Sequence, residues 1–126
     1  MNTLTPGPSP RPGRGETKSR EISAAEYQAT VWRGLSEAAF QSQVLQLAKA
    51  LGWGPMYHTR YSLGSRAGYP DLHLLRGPRS VFIELKTMKG VVTPAQEEWI
   101  AALGAAGHEA YLFRPSDQAR IEEVLR

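Results

Sequence analysis

Apolar positions along this chain change period several times, and each change marks an element. Between residues 36 and 51, Phe40, Val44, Leu47, Ala48 and Leu51 recur three and four apart, the signature of one apolar helix face. Ser36 supplies an N-cap and Gly52 a C-terminal stop. From 55 to 61 the pattern alternates, Met56, His58 and Arg60 against Tyr57, Thr59 and Tyr61, which predicts a strand. Glycine, serine and arginine at 62–69 predict a loop. Asp71 to Leu75 and Val81 to Lys86 then read as two strands joined by Arg76-Gly77-Pro78-Arg79-Ser80.

Past Gly90 the helical period returns. Thr93 at the N-cap, Pro94 at the first position and Gln96 at the third open a helix. It runs to about Ala106 on a stripe of Trp99, Ile100, Leu103 and Ala106. Gly107-His108 turns into a strand over Ala110 to Phe113, and Pro115-Ser116 leads to a short helix carrying Ile121, Val124 and Leu125. Upstream, Ser23 and Glu26 have capping-box spacing, with Tyr27, Val31 and Leu35 along one face and Gly34 at the end. The main order is helix, three strands, helix, strand, helix.

Composition narrows the picture. With 126 residues the chain supports one domain. Residues 1–22 are rich in Pro, Gly, Ser and Arg and read as a disordered tail; 23–35 form a helical lead-in, and 36–126 the folded domain. The tail lacks the apolar stretch of a signal peptide, and no segment is long enough to span a membrane, so the expected setting is cytoplasmic. Without cysteine there are no disulfides, thiolate metal sites or thiol nucleophiles. The net charge of +3 is modest. Yet Arg60, Arg66, Arg76, Arg79, Lys86 and Lys89 all lie between residues 60 and 89, which suits a polyanion as well as an ordinary solvated surface.

The candidate chemistry lies in Gly68-Tyr69-Pro70-Asp71 and, thirteen residues after Asp71, Glu84-Leu85-Lys86. In extended chain, Glu84 and Lys86 share a face with Phe82, while Val81, Ile83 and Leu85 take the other. If the two strands pair, Asp71 approaches Glu84. Two carboxylates bind a hard divalent cation, and a neighbouring ammonium holds a water or phosphoryl oxygen. Each residue also has a plain structural explanation. Asp71 suits a turn, Glu84 and Lys86 a half-exposed strand, Gln96 a capping box with Thr93, and Glu37 the positive end of a helix dipole. His58, His73 and His108 have no metal-ligand spacing, although His73 shares a strand face with Asp71.

The run GYPDL…FIELKTMKGVVTPAQEEWIAALGAAGHEAYLFRP, preceded by SEAAFQSQVLQLAKALGW, resembles the VRR-NUC branch of the PD-(D/E)XK nucleases over residues 36–115. The resemblance implies a restriction-endonuclease-like α/β fold with an αβββαβ core, its mixed central sheet flanked by helices. It implies Asp71 and Glu84 as ligands of Mg²⁺ or Mn²⁺, Lys86 as the motif lysine, Glu37 as the acidic residue of the first helix and Gln96 as the branch's glutamine. The Leu85 carbonyl completes the expected metal shell, and Glu37 is a further candidate ligand. Arg60, Tyr61, Arg66 and Lys89 are candidate DNA contacts. The expected activity is hydrolysis of DNA phosphodiester bonds, with Holliday junctions or other branched DNA among the substrates. A homodimer and a bacterial or phage-infected host cell complete the picture. The competing reading is a non-catalytic nucleic-acid-binding module on the same fold.

Overall fold

Two serines start the first two helices. In the computed structural model, which describes residues 21–59 and 66–126, Ser23 caps α1 (Ala24–Arg33) and Ser36 caps α2 (Glu37–Ala50). The Ser23–Glu26 capping box forms on both sides. The tail up to residue 20, and with it Arg60 and Tyr61, lies outside the described residues. Four strands follow the expected order: β1 (Met56–His58), β2 (Leu72–Arg76), β3 (Arg79–Leu85) and β4 (Glu109–Phe113). Helix α3 (Pro94–Ala105) lies between β3 and β4, and a 3₁₀ turn at Pro115–Asp117 leads into α4 (Gln118–Leu125). Among the described residues no helix is long and apolar enough to cross a membrane.

The sheet order is β1-β2-β3-β4, with the first two pairings antiparallel and the last parallel. The parallel step is the one that α3 bridges, as a parallel connection requires. On one face, Leu72, Leu74, Val81, Ile83 and Leu85 join Phe40, Val44 and Ala48 of α2 and Ile121 and Leu125 of α4 in the buried core. Phe82 and Glu84 point to the other face, which α3 partly covers. Because β3 is buried on both sides, Glu84 is not the half-exposed strand residue that its alternation suggested.

Three expectations changed in the folded chain. The hairpin turn is two residues, Gly77 and Pro78, so Arg76 pairs with Arg79 inside the ladder. Gly77 has φ +56°, as the first central position of a type II′ turn demands. Composition had placed both arginines in a loop, but their guanidiniums lie 4.6 and 5.0 Å from the Trp53 ring centre. Arg76 donates to the carbonyls of Leu51, Leu125 and Arg126, and Arg79 binds Glu109 at 2.7 Å. These two cations tie the hairpin to the chain end, which gives them a structural task. In α1, Tyr27 and Val31 are exposed, and Trp32 is the buried residue, edge-on to Phe40. In α3 the expected stripe is only half-buried and Ala106 is exposed, because the helix lies over the sheet margin.

Candidate active site

Register alone brings the first two site residues together. Leu72 pairs with Ile83, so the next position outward sets Asp71 opposite Glu84. Asp71 sits one residue before β2, and its Oδ2 accepts the Leu85 N–H at 2.9 Å. From the other side, the Thr59 N–H donates to the Asp71 carbonyl at 2.8 Å. The Asp71 backbone is thereby held from one side and its side chain from the other, beside the carboxyl of Glu84.

Glu84 is the one buried charged residue of the described chain, at 2% exposure. Its Oε2 accepts from Gln96 Nε2 at 3.0 Å, while its Oε1 is buried with no partner. Leaving a carboxylate oxygen in that state costs free energy on the order of 1–3 kcal/mol or more. Burial, and then the adjacent Asp71 charge, push the Glu84 carboxyl up to about 8, while the Lys86 ammonium pulls it down. The neighbouring oxygens of Asp71 and Glu84 are the pair that could hold a cation. Asp71 and Glu84 offer hard oxygen donors, which suit Mg²⁺ or Mn²⁺ better than a site built for zinc.

Gln96 carries two loads at once. Its Oε1 accepts the Thr93 N–H at 2.9 Å in the capping box, which turns its Nε2 toward Glu84. Gln96 thus caps α3 and contacts Glu84 with the same amide. Gln96→Glu keeps an acceptor for Thr93 but replaces the donor to Glu84 with a carboxylate. Its expected effect is a 10- to 100-fold loss of divalent-metal affinity, read by titration calorimetry, with α3 still formed by circular dichroism. Unchanged affinity would reduce Gln96 to a helix cap.

Lys86 follows β3 on the Glu84 side, and its N–H donates to the Phe113 carbonyl at 3.0 Å. The turn beyond it is clamped by Arg114, which donates to the carbonyls of Thr87 at 2.7 Å and Gly90 at 2.8 Å. Lys89 is exposed on that turn, and Arg66 is exposed beside Tyr69. Glu37 is a different case. It lies one turn before Phe40 on the same helix stripe, but it is exposed. Among the described residues no three His, Cys, Asp or Glu side chains gather, so Glu37 does not join the Asp71–Glu84 pair. The reason is that α2 packs on the opposite face of the sheet from Glu84. His73 is also occupied elsewhere, stacked on Phe82 at 4.1 Å and hydrogen-bonded to Ser80 at 2.7 Å.

Comparison with known proteins bears on the family and the fold. The model of the VRR-NUC domain matches residues 14–116. The chain belongs to the VRR-NUC family. A solved structure described as a VRR_NUC domain protein is 28% identical, with a TM-score of 0.56 over 73% of this chain and 86% of that one. A search of curated proteins gave no match. The VRR-NUC domain is generally a nuclease domain that depends on a divalent metal, with DNA as substrate, and the mixed four-stranded sheet flanked by helices is its fold. Sequence reasoning missed the Arg114 clamp and the contact between Gly68 and α3, described below. Neither leaves a local signal, since both join segments far apart in the chain.

Proposed function

We propose that this VRR-NUC domain is a metal-dependent endonuclease that hydrolyses DNA phosphodiester bonds at the Asp71–Glu84 pair. The observation that carries the reading is the buried Glu84, whose Oε1 has no partner and whose neighbour is a second carboxylate. Two carboxyl groups set side by side, one of them buried, repel when both are ionised, and a divalent cation held between them relieves that repulsion. Asp71 and Glu84 would hold a Mg²⁺ or Mn²⁺ ion, with the Leu85 carbonyl in reach of the same end of β3. That ion supplies charge neutralisation at the phosphate and a more acidic water.

The chain's own groups do the remaining work. The Leu85 N–H and the Gln96 amide fix the two carboxylates, so neither must reorganise as substrate enters. The Lys86 ammonium, near enough to lower the Glu84 pKa, is placed to hold a water or stabilise charge on the phosphoryl oxygens. Arg66 and Lys89 are exposed cations for the flanking backbone. A two-fold homodimer acting on branched DNA is the arrangement we take from the sequence resemblance; size-exclusion chromatography with and without a four-way junction tests it.

The direct test is a cleavage panel of linear duplex, flap, single strand and four-way junction in Mg²⁺, Mn²⁺ or chelator. Cleavage of at least one form is expected with metal and none with chelator. Asp71→Ala should abolish cleavage and retain binding. Binding without cleavage by the unaltered protein would favour the non-catalytic module.

A further inference from the structure

We propose that the cleft lined by Tyr57, Thr59, Arg66, Tyr69 and Trp99 is a subsite for one unpaired nucleobase flanking the phosphate at the Asp71–Glu84 pair. This inference deepens the nuclease reading and rests on it. The cleft is about 280 Å³, just under the low end of small-ligand sites, which suits a single base. Among the described residues, three of the five that line it are aromatic. Tyr69 and Trp99 meet edge to face at 5.0 Å, and Tyr69 is braced in turn against Phe82 at 6.5 Å, which makes a rigid back wall.

Tyr57 forms the outer wall. It lies on the edge strand β1, pairs with His73 and so shares the sheet face that carries Phe82 and Glu84. At 61% exposure its ring is open to solvent and its packing duty is slight. Arg66 stands exposed at the rim, where a guanidinium can take the backbone phosphate of the base's own nucleotide.

Position decides the occupant. Thr59, the remaining wall, donates its N–H to the Asp71 carbonyl and its hydroxyl to the Pro70 carbonyl. Tyr69 is two residues before Asp71. The cleft is therefore built on the same short segment that presents the metal-binding carboxylate, one strand spacing away. A base inside a duplex is stacked on both sides and cannot reach aromatic walls, so the occupant is a base already out of the stack. The substrate class is DNA with a single-stranded segment beside the cut, such as an overhang or flap.

The test uses the full chain with blunt duplexes and duplexes carrying short overhangs with 2-aminopurine at successive positions. Binding is read by anisotropy and 2-aminopurine fluorescence in Ca²⁺, and cleavage in Mg²⁺. One overhang position should change fluorescence on binding. Tyr57→Ala should remove that change and weaken overhang binding about tenfold, with blunt-duplex binding altered less than twofold. Tyr57→Phe, which keeps the ring, should behave as the unaltered protein. If the unaltered protein cuts DNA but Tyr57→Ala leaves overhang binding and fluorescence unchanged, the subsite is overturned and the nuclease reading stands. If the unaltered protein neither binds nor cuts any of these DNAs, both fall.

Discussion

Glu84→Gln should abolish cleavage and, in chelator at pH 8, make the protein more stable. The first effect follows from loss of one of two carboxylates at the candidate metal seat; a fall on the order of 10³-fold or more is expected. The second follows from proton linkage. Burial and the neighbouring Asp71 hold the Glu84 carboxyl at about 8 in the folded chain, against an ordinary value of 4.5. Between those values the folded state keeps a proton that the unfolded state has released. The contribution of this group is therefore full below pH about 4.5 and is lost as pH rises toward 8. Each unit is worth about 1.4 kcal/mol, so the loss across the window amounts to a few kcal/mol.

Glutamine has no proton to lose, so the parent's melting temperature should fall relative to the variant's as pH rises across this window, while the lowered His73 pKa acts on both alike. Mg²⁺ or Mn²⁺ should restore the parent at pH 8 by binding the folded state, and should leave the variant almost unmoved. A parent protein whose stability in chelator rises relative to the variant's between pH 5 and 8, or a variant no more stable at pH 8, would remove the stored-proton account of this residue.

Gly68→Ala should unfold the site from a position that touches no substrate. Gly68 is the third residue of the turn from Arg66 to Tyr69, at φ +85°, where an L side chain costs about 1–2 kcal/mol. A Cβ there would also meet the Ala95 carbonyl carbon, its oxygen at 2.6 Å and the Gln96 nitrogen at 2.7 Å. All three are backbone atoms in the first turn of α3, so no side chain can rotate away. Relief requires α3 and the Asp71 segment to separate, and that breaks the bond between Gln96 and Glu84.

We expect a loss of about 3 kcal/mol or more, which in a domain of this size lowers the melting temperature by more than ten degrees. Cleavage should fall with it, even at temperatures where the variant remains folded. Gly107→Ala is the control. Gly107 has φ +93° but nothing within 4 Å of the added Cβ, so it should show only the backbone strain. Equal melting temperatures for the two variants would refute the close contact.

Much of this site was legible before any coordinate was known. Alternation placed Phe82 and Glu84 on one face, with Lys86 just beyond, and the expected approach of Asp71 to Glu84 occurs, although the register that sets them opposite came from a turn shorter than the sequence suggested. Thr93-Pro94-Ala95-Gln96 announced its capping box. Other features were hidden for identifiable reasons. Arg76 and Arg79 look like loop cations until Trp53 and the carbonyls of the chain end, about fifty residues away, come into contact with them. Tyr27 and Val31 have the spacing of a buried face, but the helix turned Trp32 inward. Glu37 matched by order along the chain, which carries no information about which side of the sheet its helix covers.

What the residues settle alone is whatever acts over a few positions: helix starts and stops, strand alternation, and the presence of two carboxylates and a lysine at compatible spacing. Periodicity and capping are local, so they survive translation into coordinates almost unchanged. The burial of Glu84, the unpartnered Oε1, the second bond of Gln96 and the aromatic cleft beside Asp71 were decided only when α3 closed over the sheet. Each depends on the distance between segments remote in sequence, and that distance is set by packing the two faces of the sheet at once.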